Sequence, residues 1–333
     1  MIHSADWAPS TIRWRANGPL VEWCHLGDLR FTHPFFEQTI VLAMQHPFNL
    51  LFRHGTPLAD LRGADTELKL VGFIFHMSRC GSTVVTQMLA AVARNVVLSE
   101  PTPLDQILRA PARLRDLSED QLVAWLRGMV AAMGRKRRTE ERELFIKLDA
   151  WHVLMLPLLR RAFPNVPWIF LYRDPLEVLV SHAQSRPVQM FPGSIDPALL
   201  ASDPAVLGAM SPDAYTALVL SRCLDAAIAH HQGGLLVAYD ELPEIVCTTM
   251  LDHFALRYSE AEIGAMRAAA QHDAKNPKAR FRPDGEAKRN SASEELRTLA
   301  RELAPLHARL EALRLASRSN AGALLGTSPN VEP

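Results

Sequence analysis

An apolar run that passes through a tight turn into a helix constrains the fold of this chain more than any other feature. Residues 70–75 are apolar, and residues 84–92 have helical character. This pattern predicts a buried strand, a turn and a helix. The first N–H groups of such a helix lack intrahelical partners and lie at the positive end of its dipole, so they form an anion site. The turn presents to that anion Arg79, Cys80, Gly81, Ser82 and Thr83.

The residue types in this turn suit a phosphate or a sulfate. Gly81 lets the backbone approach an anion closely, Ser82 and Thr83 can donate hydrogen bonds, and Arg79 adds a positively charged fork of donors. The turn differs from the phosphate-binding loop of nucleotide hydrolases, in which a lysine follows the last glycine. Here Val84 follows Thr83, and the basic residue precedes Gly81. The alternative is an ordinary turn in which Ser82 caps the helix.

A second segment has the same strand–turn–helix character. Residues 168–172 are apolar and aromatic, which is typical of a strand. Arg173 closes this strand, Asp174 suits the N-cap of a helix, and Pro175 suits its first turn. Ser181 lies two helical turns further on. Arg173 and Ser181 together form a second candidate phosphate site, and the alternative is a capped helix with a surface arginine.

Together the two segments resemble a known family, the sulfotransferases that use 3′-phosphoadenosine 5′-phosphosulfate (PAPS). Ser78–Thr83 resembles the 5′-phosphosulfate loop of that family, in the form that its Golgi and bacterial branches carry. Tyr172–Pro175, followed by Ser181, resembles its 3′-phosphate motif. Residues 237–242 resemble a later strand end of the family, with two acidic residues exchanged. The resemblance extends over residues 69–290 and implies a P-loop-like fold.

The resemblance also implies roles for individual residues. Arg79 and residues 80–83 would bind the 5′-phosphosulfate, and Arg173 and Ser181 would bind the 3′-phosphate. Cys80 replaces the serine that is usual in the family, and backbone N–H groups would serve at that position. Tyr239 would stack near the adenine, although a core aromatic residue is an equal interpretation.

Sulfuryl transfer benefits from a general base, because the acceptor must lose a proton. In the tyrosylprotein-sulfotransferase branch of the family a glutamate at a similar distance after the loop is the base, which points to Glu100 here. His152 and His76 are the alternatives, since the cytosolic branch uses a histidine. Lys147, at the end of its strand, would neutralise sulfate oxygens. The structural alternatives are a helix N-terminal glutamate, a packed histidine and a surface lysine.

The C-terminal part contains a basic segment and a long helical pattern. Residues 272–290 are basic and interrupted by proline, and the family has a late basic loop that closes over the 3′-phosphate. Lys275 and Lys278 are the residues that this resemblance assigns to the cofactor. Residues 293–317 are amphipathic and predict a structural helix, and residues 321–333 are expected to be a disordered tail.

The remaining pattern predicts an α/β fold with a mostly parallel sheet and helices on both faces. Residues 1–68 are expected to be an N-terminal extension packed on an α/β domain of residues 69–320. Ligands of such sheets bind at the carboxyl ends of the strands, where Glu100, Lys147, Arg173 and Asp240 fall. Further strands are predicted at residues 95–99, 144–148 and 235–239, and helices at 35–45, 153–162 and 245–254.

Composition excludes several classes of function. The 36 Lys and Arg residues balance the 36 Asp and Glu residues, so no overall field favours nucleic acid or an acidic membrane. The four cysteines have no paired spacing, which favours a reducing compartment. We see no signal-peptide pattern and no run that could span a bilayer, so a cytoplasmic location is expected. Neither zinc-ligand spacing nor a serine-hydrolase elbow is present, and no metal is expected.

The sequence therefore predicts a PAPS-dependent sulfotransferase that moves a sulfuryl group to a hydroxyl or amine of a small-molecule, glycan, lipid or peptide acceptor. Two alternatives remain open. One is an ATP-dependent phosphotransferase, which the missing lysine after Gly81 disfavours. The other is a non-catalytic nucleotide-binding protein with the same fold.

Overall fold

The computed structural model describes residues 6–61, 66–114, 116–274 and 284–325, with side chains as far as residue 319. The strands in this part of the chain are β1 (Trp7–Arg15), β2 (Gly18–His25), β3 (Gly55–Pro57), β4 (Lys69–His76), β5 (Asn95–Ser99), β6 (Glu143–Lys147), β7 (Trp168–Tyr172) and β8 (Gly234–Ala238).

Helices connect and cover these strands. They are α1 (Phe36–Met44), α2 (Pro47–Leu51), α3 (Ser82–Ala90), α4 (Thr102–Leu108), α5 (Glu119–Met133), α6 (Leu156–Ala162), α7 (Pro175–Gln184), α8 (Pro204–Ala209), α9 (Pro212–Ala229), α10 (Thr249–His253), α11 (Glu260–Ala270), α12 (Gly285–Ser291) and α13 (Glu294–Leu325). Short 3₁₀ segments include Ala150–Met155 and Glu244–Cys247.

The core is a parallel five-stranded sheet in the order β5–β6–β4–β7–β8. Every residue of β5, β6 and β7 is buried. Because successive side chains of a strand point to opposite faces, this burial means that both faces of the sheet are covered. The α/β class with a parallel sheet is therefore confirmed. In the register, Ser99 pairs with Lys147 and Tyr172 with Ala238, so neighbouring strands end at the same edge of the sheet.

The first part of the chain forms an antiparallel sheet, β1–β2–β3, that packs against α4 and α5. Gln106 of α4 binds the backbone of Ile12 at both ends of its amide. Its Oε1 accepts from the Ile12 N–H at 2.6 Å, and its Nε2 donates to the Ile12 carbonyl at 3.3 Å. The rings of Trp14 and Trp125 lie 6.5 Å apart at the same contact. α1 contacts β2 of this sheet, and Thr102 of α4 donates to Oε2 of Glu37 in α1 at 2.8 Å.

Two helices that the sequence predicts as single elements are divided in the structure. The segment 153–162 begins as a 3₁₀ turn that Asp149 caps, and the α-helix starts only at Leu156, with Pro157 in its first turn. Proline has no N–H to continue a preceding turn, so it favours a new helix start. The segment 245–254 likewise divides into a 3₁₀ turn and α10.

The last helix is longer than the sequence predicts. It extends from Glu294 to Leu325 and contains Pro305. Residues 321–325 belong to this helix, and residues 326–333 lie outside the described part. Predominantly good helix formers, such as alanine and leucine, occupy 321–325 and explain this continuation.

No helix in the described ranges is long and apolar enough to cross a membrane. All four cysteines fall within those ranges and are free thiols.

Candidate functional site

A cleft of about 520 Å³ lies where the strands of the core sheet end. The last residue of β6 and the segments that follow β4, β5, β7 and β8 all contribute to its wall, as expected for a ligand site of a parallel sheet. The residues singled out by the sequence that line this cleft are His76, Arg79, Cys80, Gly81, Ser82, Thr83, Glu100, Lys147, Arg173, Ser181 and Tyr239. His152 does not line it, and Lys275 and Lys278 lie outside the described residues.

The loop between β4 and α3 has an unusual backbone. Ser78, Arg79 and Gly81 all have positive φ angles, of 73°, 52° and 82°. Space is also limited at Gly81, because a Cβ atom at this position would lie 2.6 Å from Cδ1 of Leu242 and 3.1 Å from Cδ2 of Tyr239. Gly81 is the N-cap of α3, and within the described structure no side chain caps this helix. The first turn of α3 therefore presents N–H groups to the cleft, as an anion site requires.

Strain of this kind is found most often at functional sites. Glu100 shares it, with a φ of 56° directly after β5. Three non-glycine residues in left-handed conformations thus border the same cleft. Such conformations cost of order 1–3 kcal/mol each in sparsely populated regions.

Cys80 contributes its backbone to the cleft, and its thiol faces the core. Its Sγ atom donates to the carbonyl of Leu171 at 3.2 Å, and burial raises the pKa of the thiol to about 12. The thiol is therefore neutral and unreactive under ordinary conditions. An anion in the cleft would therefore meet the backbone of Cys80 and not its thiol.

The side chain of Arg79 is held by a hydrogen bond to the segment that follows α7. Its Nη2 donates to the carbonyl of Ser185, which follows α7. Its Nε atom is buried and has no hydrogen-bond partner among the described residues, and burial lowers the pKa of the guanidinium. An arginine with unused donors in a cleft is well suited to bind an anion.

Glu100 and Lys147, which both line the cleft, form an ion pair. Nζ of Lys147 lies 2.9 Å from Oε1 of Glu100, and the lysine side chain is only 1% exposed. Burial by itself would raise the pKa of Glu100, but the Lys147 ammonium and His76 hold it well below its usual value. The ring of Phe35 faces the ammonium, with Nζ 4.9 Å from the ring centroid. The aromatic face thus supplies a second partner for the buried cation.

Both candidate histidines are held in one tautomer by their neighbours. Nδ1 of His76 accepts from the N–H of Ser78 at 3.0 Å, and Nδ1 of His152 accepts from the N–H of Asp149 at 3.1 Å. The remaining proton of each neutral ring is therefore on Nε2. In His76 this atom lies 3.6 Å from Glu100, and in His152 it lies 3.1 Å from Oδ1 of Asp105. Neither ring presents a free lone pair to the cleft.

Gln189 and Asp149 form a polar wall next to Glu100 that the sequence did not reveal. Nε2 of Gln189 donates to Oδ1 of Asp149 at 2.8 Å, and the same oxygen accepts from the N–H of Ala150 at 2.6 Å. Burial and the charge of Glu100 raise the pKa of Asp149 to about 6. Gln189 itself lines the cleft.

We predict that Asp149→Asn changes how stability depends on pH. The folded protein holds a proton on Asp149 up to pH of about 6, whereas an unfolded aspartate releases it near pH 3.9. The contribution of Asp149 to wild-type stability therefore falls as pH rises through that window, by roughly 2–3 kcal/mol, and does not change further above it. The asparagine variant lacks this decrease. Urea unfolding of both proteins between pH 4 and 8 measures the difference, and parallel profiles would contradict the assignment.

Arg173 lies at the other end of the cleft, beside Tyr239. The guanidinium carbon is 3.9 Å from the centroid of the Tyr239 ring, which indicates a cation–π contact. Nε donates to Oε2 of Glu177 at 2.6 Å, and Nη2 donates to Oδ1 of Asp284 at 2.8 Å. Ser181 lines the cleft from the same helix as Glu177. Asp174 caps that helix, as the sequence predicts, by accepting from the N–H of Glu177.

Several lining residues belong to no motif. Phe35 comes from the N-terminal part, Gln189 and Arg186 from the segment after α7, and Asp284 and Lys288 from the α12 region. Of these residues only Asp284 and Lys288 carried a sequence signal, because they lie in the basic segment 272–290.

Comparison with known proteins gives distant structural similarity. No family model matches the chain, and no curated protein matches it. The fold is similar to the sulfotransferase domain from the curacin biosynthetic pathway, with 16% identity, coverage of 72% of this chain and 99% of that chain, and a TM-score of 0.40. A sulfotransferase from Alicyclobacillus acidocaldarius has 14% identity, coverage of 74% and 96%, and a TM-score of 0.41. One from Mycobacterium avium has 12% identity, coverage of 81% and 82%, and a TM-score of 0.41.

Proposed function

We propose that this protein is a sulfotransferase that uses PAPS as its sulfuryl donor. One observation carries the proposal. Two anion sites recognised in separate parts of the sequence, Arg79–Thr83 and Arg173 with Ser181, line a single cleft, and the Glu100–Lys147 pair lies in that cleft with them. A nucleotide with a phosphosulfate at its 5′ position and a phosphate at its 3′ position has anions at both ends, and a nucleotide triphosphate does not.

The order of the strand ends divides the cleft into two halves. The sheet order places Glu100 and Lys147 on one side of the β4 loop, and Arg173 and Tyr239 on the other. The nucleotide binds on the Arg173 side, with its phosphosulfate at the α3 N-terminus. The acceptor then approaches from the Glu100 side, between Phe35 and Gln189, which both line the cleft there.

The residues of the cleft fit the charge changes of sulfuryl transfer. The acceptor oxygen forms a bond to sulfur as the bond between sulfur and the 5′-phosphate oxygen breaks, and the leaving oxygen gains negative charge. Arg79 and the N–H groups at the start of α3 stabilise that charge. Glu100 accepts the proton of the acceptor, because both histidines have their lone pairs in use.

Through its ion pair with Glu100, Lys147 makes the pKa of this base depend on whether the donor is bound. While Lys147 binds Glu100, the carboxylate is a weak base, because its pKa is held low. A sulfonate in the cleft offers the ammonium a second anion. When Lys147 turns towards it, Glu100 loses its partner and its proton affinity rises. The base is thus strengthened only when the sulfuryl group is present.

Transfer of a radiolabelled sulfuryl group tests the proposal. The purified protein is incubated with [³⁵S]PAPS and a panel of phenols, sugars, lipids and tyrosine peptides, in parallel with [γ-³²P]ATP and the same panel. We expect ³⁵S in a product and no transfer of ³²P. Transfer from ATP alone would favour the phosphotransferase. Binding of PAPS with no label transferred to any acceptor of a broad panel would favour the non-catalytic protein.

We predict that Arg173→Ala weakens binding of adenosine 3′,5′-bisphosphate by roughly 10–100-fold, since a hydrogen bond to a charged group contributes about 1.5–3 kcal/mol. Ser181→Ala should cause a smaller loss. Affinity for adenosine 5′-monophosphate should change little in either variant. Calorimetry measures all four values, and an equal loss for both nucleotides would place the 3′-phosphate elsewhere.

A further inference from the structure

Asp284 binds Arg173 at the wall of the cleft, which both residues line. Its Oδ1 accepts from Arg173 at 2.8 Å, its Oδ2 lies 2.7 Å from Nζ of Lys288, and the Asp284 side chain is 50% exposed. Arg173, by contrast, is buried. The contact therefore joins a fixed cation of the core to a half-exposed carboxylate at the start of α12.

Removal of Asp284 would leave an excess of positive charge around Arg173 that a dianion could neutralise. Arg173, Lys288 and Arg289 are paired with only two carboxylates among the described residues, Glu177 and Asp284. Without Asp284, three cations face one carboxylate, an excess of two positive charges. A phosphate carries close to two negative charges at neutral pH and suits that excess.

We propose that Asp284 competes with the donor for Arg173 and so lowers the affinity of the cleft for nucleotides with a 3′-phosphate, because its carboxylate occupies the place on Arg173 that the 3′-phosphate takes. This inference rests on the proposed function. A nucleotide with a 3′-phosphate displaces Asp284, since a dianion binds the guanidinium more strongly than one carboxylate does. A nucleotide without it leaves the Asp284–Arg173 pair intact and gains nothing at this end of the cleft.

Displacement is feasible because Asp284 keeps a partner. Lys288 lies one helical turn further along and remains within reach of the carboxylate. Burial works against the charge, but Lys288 and Arg173 hold the pKa of Asp284 below its usual value, so it is ionised at neutral pH. The carboxylate therefore competes with the phosphate throughout the physiological range.

Calorimetry on variants of Asp284 tests the inference. Wild type, Asp284→Asn and Asp284→Ala are titrated with adenosine 3′,5′-bisphosphate and with adenosine 5′-monophosphate. Both variants should bind the bisphosphate roughly 10-fold or more tightly than wild type does. Binding of the monophosphate should change by no more than about twofold. Thermal melting verifies that each variant is folded.

Glu286→Gln is the matched control, because Glu286 is exposed on the same helix and makes no ion pair with the described residues. It removes the same charge, so it should change both affinities by no more than about twofold. An unchanged or weaker affinity of the Asp284 variants for the bisphosphate would overturn the inference. So would an equal gain for both nucleotides, or an equal gain in the control.

The same titrations separate this inference from the proposed function. If wild type prefers the bisphosphate and Arg173→Ala abolishes that preference, the 3′-phosphate site is supported, regardless of the result for the Asp284 variants. An Asp284 variant that then behaves as wild type does would refute the inference alone. A wild type with no preference for the bisphosphate would refute the site itself, and the inference with it.

Discussion

Glu100→Gln is expected to lower kcat by roughly 10²–10⁴-fold, the usual contribution of a positioned general base. Glutamine is nearly isosteric with glutamate, and its carbonyl can still accept from Lys147. The fold and the nucleotide affinity should therefore survive. Glutamine cannot take up the proton of the acceptor near neutral pH. Steady-state kinetics with the acceptor found by the ³⁵S screen measures kcat, and calorimetry with adenosine 3′,5′-bisphosphate verifies that binding is unchanged.

The pH profile and a histidine variant distinguish Glu100 from its rival. The pH profile of kcat/KM reports the pKa values of the free enzyme. In the free enzyme the pKa of Glu100 is held below its usual value, so kcat/KM should decrease only below pH 4.5. An acid limb above pH 4.5 would instead count against Glu100 as the base. His152→Gln, which lies outside the cleft, should keep turnover. An active Glu100→Gln together with an inactive, folded His152→Gln would assign the base to the histidine.

Arg79→Ala is expected to lower kcat by roughly 10²–10³-fold, by analogy with the loss of one donor to a developing oxyanion. Arg79 has unused donors in the cleft and is fixed across it by Ser185. Its contribution should therefore be largest when the leaving oxygen gains charge, so KM for PAPS should change less than kcat.

Arg79→Lys is the matched variant for this prediction. It keeps the charge and loses the planar fork of donors, so it should recover only part of the activity. Full recovery would show that charge alone is needed. An unchanged kcat in Arg79→Ala would move the transferring group away from the β4–α3 loop.

Much of the fold could be predicted because local sequence patterns, apolar runs followed by turn residues, mark the strands of its core. The apolar runs at 70–75 and 168–172 are buried strands, and the turn after each carries its own signals, a glycine in one case and an Asp-Pro helix start in the other. Those turns also identify most of the cleft, since parallel strands end at one edge of the sheet. A residue at the end of a predicted strand can therefore be assigned to the cleft from the sequence alone.

The acceptor side could not be predicted in the same way. Gln189 lines the cleft and donates to Asp149, 40 positions earlier. Phe35 precedes α1, which Glu37 links to Thr102 of α4, and no local pattern indicates that contact. The histidines show a further limit. Their sequence positions suggest a base, but only the backbone hydrogen bonds at Nδ1 reveal that the lone pair is in use.

The most direct test of the account is the affinity of the wild-type protein for three nucleotides. Calorimetry compares adenosine 3′,5′-bisphosphate with adenosine 5′-monophosphate and with ATP in the presence of magnesium. The two anion sites of the cleft predict that the bisphosphate binds roughly 10-fold or more tightly than either of the others, since its 3′-phosphate gains at least one charged hydrogen bond at Arg173. Equal affinity for bisphosphate and monophosphate, or a preference for ATP, would contradict the account.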